Sequence, residues 1–234
     1  MLTLEEKELY SRHLLMEGFT ERHQEKLSGA KVLVIGAGGL GTPVLMYLAG
    51  AGVGKLGLLE FDTIALSNLP RQIAYTKKET GQQKTQVICK KLRLLNPSCH
   101  TSVYNERWTT ENAGRIVSEF DILIDCSDNL ETRYLSDLIS RKYDIPMIYG
   151  AVHEFEGQVA VFNYNGSKGY SDLFQKKVDQ STDQPVGIIG PIAGIIGSLQ
   201  AAEAIKIITG LGDVLINKLF IISLKHNRTQ YLSF

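Results

Sequence analysis

Residues 31–60 constrain the fold of this chain more than any other stretch. They read as a hydrophobic strand over 31–35, a glycine-rich turn over 36–41, an apolar helical run to Gly52, and a second hydrophobic strand over 55–60. A strand, a helix and a strand in close succession predict a parallel βαβ unit. The chain is therefore expected to be an α/β protein in which this unit lies at the centre of the sheet.

The turn within this unit matches a nucleotide-binding pattern. Gly36, Gly38 and Gly41 have the spacing Gly-x-Gly-x-x-Gly, and Glu60 ends the second strand 19 residues after the last of them. Such glycines let backbone approach a phosphate, the helix start offers free N–H groups, and the acid can accept hydrogen bonds from ribose hydroxyls. The pattern predicts an adenine nucleotide site, although a merely tight strand–helix junction would look similar.

The rest of the chain extends this unit into one sheet. Helices are predicted over 3–15, 80–95, 110–120 and from about 130 to 143, with a long apolar helix ending at Gly210. Further strands are predicted over 100–105, 121–125, 146–151 and 157–164, followed by a hairpin of 218–224 and 228–234. The predicted fold is a Rossmann-like, mostly parallel sheet with helices on both faces and antiparallel C-terminal strands. We expect a single domain over 1–234, with an N-terminal helical arm at 1–29, a polar loop at 165–187 and C-terminal strands within 211–234.

Composition excludes several classes of protein. The 25 acidic residues balance 25 Lys and Arg, which argues against a nucleic-acid or anionic-membrane partner. The start lacks the pattern of a signal peptide, and the uncharged run 186–202 contains Pro191, so it is expected to be a core or dimer helix rather than a membrane span. The three cysteines form no CxxC pair, which argues against disulfides and a cysteine-based zinc site and favours a cytoplasmic location.

Polar residues follow the predicted strands at the edge where the glycine turn lies. Asn68 and Arg71 come after the second strand, Lys84 lies in the first turn of the next helix, and Asp128 follows the strand 121–125. Two cations for phosphates and a carboxylate for Mg²⁺ favour ATP chemistry over hydride transfer, and no P-loop motif is present. Asp128 is also a candidate N-cap of the helix that follows it, and the two roles are compatible.

Seven segments together carry a resemblance to a known family. They are Tyr10-Ser-Arg12, Gly36-Ala-Gly-Gly-Leu-Gly41, Leu59-Glu-Phe-Asp62, Leu66-Ser-Asn-Leu-Pro-Arg71-Gln72, Gly81-Gln-Gln-Lys84, Asp125-Cys-Ser-Asp128-Asn129 and Gly197-Ser-Leu-Gln-Ala-Ala-Glu-Ala-Ile-Lys206. Over nearly the whole chain the sequence resembles the ThiF/MoeB/HesA family, bacterial relatives of the ubiquitin-activating enzymes.

This resemblance implies an adenylyltransferase that uses ATP and Mg²⁺. Its substrate would be the C-terminal carboxylate of a small ubiquitin-like sulfur-carrier protein of the ThiS or MoaD type, in thiamine or molybdopterin synthesis. Catalytic roles are implied for Arg12, Arg71, Lys84 and Asp128, with Asp128 holding Mg²⁺ and Arg12 reaching the site of a partner subunit in a homodimer. Nucleotide contacts are implied for Gly36, Gly38, Gly39, Gly41, Glu60, Asp62, Ser67, Asn68, Arg71, Lys84, Asp128 and Asn129.

The chain departs from the family in its cysteines. Family members typically carry two CxxC pairs that bind zinc, but the first pair is replaced here by Gly169-Tyr-Ser-Asp172 and the chain ends at Phe234 without the second. ThiF-type enzymes also place a cysteine for sulfur transfer in the loop after this point, whereas Ser181-Thr-Asp-Gln-Pro185 has none. We therefore expect a short variant without zinc, whose chemistry stops at the acyl-adenylate.

Three other functions stay open at this level. The chain could activate another carboxylate, an amide or a tRNA base, or be an inactive nucleotide-binding scaffold. An NAD-dependent oxidoreductase is disfavoured by the Ser-Asn-x-x-Arg segment. The segment from Gly41 to Gly54 is slightly nearer the thiamine branch than the molybdopterin branch.

Overall fold

The computed structural model describes residues 1–175 and 187–234, and the middle of the predicted loop at 165–187 lies outside these ranges. The strands are β1 (Lys31–Ile35), β2 (Lys55–Leu59), β3 (His100–Tyr104), β4 (Ile122–Asp125), β5 (Met147–His153), β6 (Glu156–Phe162), β7 (Lys218–Ser223) and β8 (Arg228–Ser233). The helices are α1 (Leu4–Leu9), α2 (Ser11–Leu14), α3 (Glu21–Gly29), α4 (Gly41–Gly50), α5 (Lys84–Leu95), α6 (Thr110–Val117), α7 (Leu130–Tyr143), α8 (Tyr170–Leu173) and α9 (Gly190–Thr209).

The strands form one sheet in the order β3-β2-β1-β4-β5-β6-β7-β8. The first five run parallel, and β6, β7 and β8 are each antiparallel to the strand before them. This confirms the predicted mostly parallel sheet with antiparallel C-terminal strands. The order reverses direction between β1 and β4, which is the place where open α/β sheets form a ligand crevice.

Alternation along β1 explains why both faces of the sheet are covered. Val32 and Val34 belong to one hydrophobic core and Leu33 and Ile35 to another on the opposite face. Successive strand residues point to opposite faces, so four consecutive buried apolar residues need a layer on each side. The predicted helices on both faces are therefore a consequence of this short run.

The apolar run seen in the sequence forms α9, which is long and apolar enough to span a membrane by length and composition. Half of its most apolar window is buried inside the protein, and the helix packs against α4, β5 and β6. Its N-terminal part lies beside the glycine turn, because a Cβ on Gly197 would come 2.4 Å from the Leu40 carbonyl oxygen. The helix is a core element of this fold.

Two predicted helices differ from those observed. The helix expected over 3–15 is interrupted at Tyr10, although the capping box of Thr3 and Glu6 opens α1 as predicted. The helix expected from residue 80 begins only at Lys84. Gly81 has φ +87°, and the Gly81 N–H and the Gln82 carbonyl oxygen bond to the backbone of Ile64 instead of continuing a helix. Local propensity did not reveal that this backbone is used by a neighbouring segment.

Candidate active site

A cavity of about 620 Å³ lies at the carboxyl ends of the parallel strands, where the strand order reverses. Residues from the glycine turn, β2, the loop after β2, the start of α5, and the β4–α7 turn meet there. Its lining is Ile35, Gly36, Gly38, Gly39, Leu40, Leu59, Glu60, Phe61, Asp62, Arg71, Gln72, Lys84, Trp108, Cys126, Ser127, Asp128, Asn129, Thr132, Arg133, Ala151, Val152, Ile188 and Ala193.

The glycine turn is packed too closely for side chains. Gly36 has φ +97°, and a Cβ on Gly39 would come 3.0 Å from the Ala193 Cβ and 3.1 Å from the Arg71 carbonyl oxygen. Gly41 has a different role, since its Cβ would lie 1.9 Å from the Gly36 carbonyl oxygen. Gly41 does not line the cavity but lets α4 start directly against the turn, so that the positive end of the helix dipole lies beside the cavity. The Thr42 and Val44 N–H groups are already bonded to the Gly38 and Leu40 carbonyl oxygens, at 3.1 and 3.3 Å.

Glu60 is buried at the end of β2 and already binds several donors. Its Oε1 accepts from the Phe61 and Asp62 N–H groups at 2.8 and 2.9 Å, and its Oε2 accepts from the Ala37 N–H at 3.1 Å. The Lys84 ammonium is a weaker fourth donor at 3.4 Å. A carboxylate has about four acceptor sites, so a ribose hydroxyl would bind Glu60 by replacing this longest contact.

Lys84 brings a positive charge into the cavity from the first turn of α5. Its side chain is 5% exposed, and its ammonium lies 3.0 Å from Asp62 Oδ2, which is half exposed. A lysine at a helix N-terminus opposes the helix dipole, and the two carboxylates at the end of β2 compensate for that cost here. The cation remains within reach of an anion in the cavity.

Arg71 lines the cavity beside the glycine turn, whereas its two predicted neighbours do not. Its Nη1 donates to the Ser67 carbonyl oxygen at 3.0 Å. Asn68 instead closes its own 3₁₀ turn, because its Oδ1 accepts from the Ala65 N–H at 3.1 Å. The loop therefore presents Arg71, while Ser67 and Asn68 hold the loop in shape.

Asp128 and Asn129 follow β4 at the opposite side of the cavity. Asn129 is the N-cap of α7, since its Oδ1 accepts from the Thr132 N–H at 2.9 Å. The prediction of Asp128 as the N-cap is therefore wrong. Within the described residues the Asp128 carboxylate has no hydrogen-bond or ion-pair partner, and it is exposed at the cavity wall.

The donor set at this wall suits a hard divalent cation. Mg²⁺ prefers carboxylate oxygens and binds with one or two of them together with waters and substrate phosphates. Asp128 offers such an unpaired carboxylate next to a cavity that also contains Arg71 and Lys84. Among residues 1–175 and 187–234, no group of three or more His, Cys, Asp or Glu side chains is arranged for a metal. The absence of zinc stays a prediction.

Of the predicted site residues, the structure brings nine of the twelve nucleotide contacts together around this cavity. Arg12 is exposed on α2 and does not line the cavity.

Several lining residues were not predicted from the sequence. Arg133 lies four residues after Asn129, one turn along α7, and this spacing was a usable signal. Trp108 follows β3 at the same edge of the sheet, which was another. Val152 and Ile188 are brought in by distant elements and gave no local signal.

The three cysteines are free thiols that are buried or half-buried. Cys126 is buried beneath the β4–α7 turn, and burial raises the pKa of its thiol well above the usual range. Burial likewise raises the pKa of Cys99 to about 11 and raises that of Cys89. The thiolate is the reactive form of cysteine, so none of these thiols is activated. An end of the chemistry at the acyl-adenylate remains our prediction.

Solved structures support the fold. The chain matches the crystal structure of E. coli MccB with ATP at a TM-score of 0.87, with 23% identity, 96% of this chain and 71% of that chain covered. It matches the crystal structure of PaaA at a TM-score of 0.86, with 24% identity, 99% of this chain and 74% of that chain covered. At this level of identity the likeness extends to the fold.

Sequence relatives are closer. A sulfur carrier protein adenylyltransferase from Thermus thermophilus is 40% identical over 227 residues, covering 94% of this chain and 84% of the relative. A probable molybdopterin-synthase adenylyltransferase from Porphyra purpurea is 42% identical over 218 residues, covering 91% of this chain but 57% of the relative. The chain therefore spans little more than half of some relatives. A model of the ThiF family matches residues 10–234. The fold and the position of the cavity are consistent with this match, and the chain belongs to the ThiF family.

Proposed function

We propose that this protein adenylylates the C-terminal carboxylate of a small ubiquitin-like sulfur-carrier protein. The observation that carries the proposal is the convergence of Arg71, Lys84 and Asp128 on one cavity that also contains the glycine turn and Glu60. Relatives at about 40% identity bear the names sulfur carrier protein adenylyltransferase and probable molybdopterin-synthase adenylyltransferase. These names support the same reaction class.

The geometry suits nucleotidyl transfer without a protein nucleophile. The carrier carboxylate attacks the α-phosphorus of ATP, a bond forms between the carboxylate oxygen and phosphorus, and the bond from phosphorus to the bridging oxygen breaks as pyrophosphate leaves. Such reactions depend on positioning and on neutralising charge at the phosphates. Lys84 and Arg71 supply positive charge, the start of α4 supplies the positive end of its helix dipole, and Glu60 orients the ribose. Mg²⁺ held by Asp128 would neutralise further phosphate charge.

An apolar part of the cavity lining suits the carrier tail. It consists of Ala151, Val152, Ile188 and Ala193, of which Ala193 lies against Gly39 of the glycine turn. The backbone of Glu154 accepts from the Ile189 N–H at 3.0 Å and donates to the Gly187 carbonyl at 2.7 Å, which holds this wall together. Small and apolar residues leave room for a narrow, glycine-containing tail.

A second copy of the chain completes the proposed site. Arg12 is exposed on its own subunit, and the N-terminal arm also exposes the apolar side chains of Leu4, Leu9 and Leu15. A homodimer would cover these side chains and bring Arg12 near a partner's cavity. The proposed setting is the cytoplasm, and the sulfur atom would come from another protein.

The test is ATP–pyrophosphate exchange with purified carriers of the ThiS and MoaD types, added one at a time. Exchange that depends on one carrier is expected and would also choose between the thiamine and molybdopterin pathways. ATP binding without exchange under every carrier would contradict the proposal and favour a scaffold. Exchange without any carrier would point to a different acceptor.

A further inference from the structure

We propose that Asp125 and Arg133 act as a pair of positioning residues, which hold Ser127 from both sides and so fix Asp128 at the cavity. The inference deepens the proposed function and rests on it, because it concerns the residue proposed to hold Mg²⁺. Neither side chain was expected at the site from the sequence. Both side chains bind a single residue, Ser127.

Ser127 is held at each of its polar groups. Its N–H donates to Asp125 Oδ1 at 2.8 Å, and its hydroxyl donates to the same oxygen at 2.6 Å. Its carbonyl oxygen accepts from Arg133 Nη2 at 3.2 Å. Ser127, the residue that leads into Asp128, is therefore bound on its N–H and hydroxyl by Asp125 at the end of β4 and on its carbonyl by Arg133 of α7.

Asn129, on the other side of Asp128, fixes the turn from its other end. Its side chain caps α7 by accepting from the Thr132 N–H. Asp128 thus stands between two restrained neighbours, while its own carboxylate has no partner within the described ranges. An unpaired carboxylate on a restrained backbone is pre-organised for a ligand, because little conformational freedom is lost when it binds.

Asp125 and Arg133 also depend on one another. Asp125 is fully buried, and within residues 1–175 and 187–234 its Oδ2 has no hydrogen-bond partner. The Arg133 guanidinium acts on this carboxylate electrostatically and lies over the Tyr149 ring at 5.5 Å. Burying a charge is costly unless an opposite charge lies near it. The charge of Arg133 therefore supports the carboxylate, while its hydrogen bond restrains the Ser127 carbonyl.

A matched control is available on the same helix. Arg141 lies two turns further along α7 and pairs with Asp172 at 2.7 Å. Arg141→Gln removes an ion pair of α7 without contacting Ser127. A purely structural role for Arg133 predicts that Arg133→Gln and Arg141→Gln act alike, apart from their effects on melting temperature.

The experiment measures how Mg²⁺ strengthens ATP binding, by calorimetry and by the emission of Trp108, the one tryptophan in the sequence. For Arg133→Gln, the Mg²⁺ concentration at half-maximal effect should rise about tenfold, the scale of losing a residue that orients a metal ligand without binding the metal itself. ATP binding in the presence of a chelator should stay within about twofold of wild type, since phosphate and ribose contacts remain. Arg141→Gln should show no change in the Mg²⁺ dependence.

Arg133→Lys guards against a loss of folding. It keeps a positive charge for Asp125 but loses the planar donor group, so a folded protein with an intermediate Mg²⁺ dependence is expected. A folded Arg133→Lys or Arg133→Gln variant with the wild-type Mg²⁺ dependence would overturn the inference while leaving the proposed reaction intact. Wild-type protein that binds ATP with no effect of Mg²⁺ would instead remove the metal role of Asp128, and the inference with it.

Discussion

The Lys84 ammonium lies 3.0 Å from the Asp62 carboxylate, and this pair joins the start of α5 to the end of β2. The contact exists because the two backbones meet there, with the Lys84 N–H donating to the Asp62 carbonyl oxygen at 3.1 Å. The pair places a carboxylate beside the lysine, whose side chain is largely buried. It also keeps the ammonium beside the acid that is expected to bind ribose.

Removing the charge of Lys84 should abolish most catalysis. In Lys84→Met, carrier-dependent ATP–pyrophosphate exchange should fall by about 10²-fold or more, the scale of a lost transition-state charge contact. Lys91→Met is the matched control, since Lys91 lies on the same helix and pairs with Glu79 at 3.0 Å outside the cavity. Similar rates for the two variants would contradict a phosphate role for Lys84.

Arg71 and Asp128 should be needed for the same step. Arg71→Ala and Asp128→Ala are each expected to lower the exchange rate by about 10²-fold or more, because each removes a group that offsets developing charge. Circular dichroism and melting curves check that both variants fold. Wild-type exchange in either variant would show that the cavity is not the site of adenylation.

Trp108 should report nucleotide binding directly. Its side chain is 8% exposed and lines the cavity, so a bound nucleotide changes its surroundings. ATP titration should change the intensity or wavelength of its emission, with the same midpoint as calorimetry. Trp108→Phe supplies the blank. Unchanged emission at saturating ATP would place the nucleotide elsewhere.

Gly41 should tolerate no side chain, whereas Gly194 should. A Cβ on Gly41 would lie 1.9 Å from a backbone oxygen, so Gly41→Ala should lose about 1–3 kcal/mol of unfolding free energy, as overpacking does, and weaken ATP binding. Gly194 in α9 has no atom of the described residues within 4 Å of such a Cβ, so Gly194→Ala should gain about 0.5–1 kcal/mol. Urea unfolding of both variants measures the difference, and equal effects would contradict the packing role of Gly41.

Asp137 should make stability depend on acid pH. Burial raises the pKa of this carboxyl, but hydrogen bonds from Ser171, Asn163 and Tyr170 outweigh burial and leave the pKa lower than 3.8. A lowered pKa stabilises the fold above the unfolded-state pKa, and this contribution disappears as the pH falls through the folded-state pKa.

The variant for this effect is Asp137→Asn. It should cost about 1–3 kcal/mol at pH 7, as expected for hydrogen bonds to a charged group. The difference in melting temperature between the wild type and Asp137→Asn should be constant above about pH 5 and should shrink below pH 3.8. A difference that does not change with pH would show that the carboxylate charge is not involved.

Local patterns were sufficient for the parallel half of the fold. Four consecutive buried residues in β1, the glycine turn and the acid at the end of β2 are neighbours in sequence, and each has its own physical signature. The location of the site followed from the rule that the carboxyl ends of parallel strands lie at one edge of the sheet. On that basis the sequence predicted that edge as the position of Arg71, Lys84 and Asp128.

Contacts between distant segments could not be predicted in the same way. The sequence alone did not show that Asn68 would bond to the Ala65 backbone while Arg71 lines the cavity. It also did not show that Asn129 rather than Asp128 would cap α7, because both residue types are good caps. Each outcome depends on which backbone groups the neighbouring elements leave free.

Adjacent residues were enough to predict the βαβ unit, the glycine turn, the position of Glu60 and the family resemblance, because each arises from the period and spacing of neighbouring residues. The positions at which the charges of the site are balanced depend on how distant segments pack. Lys84 meets Asp62 through paired backbones, and Arg133 meets Ser127 only when α7 packs beside β4. Such pairings depend on the free energy of burying charges together, which no local pattern records.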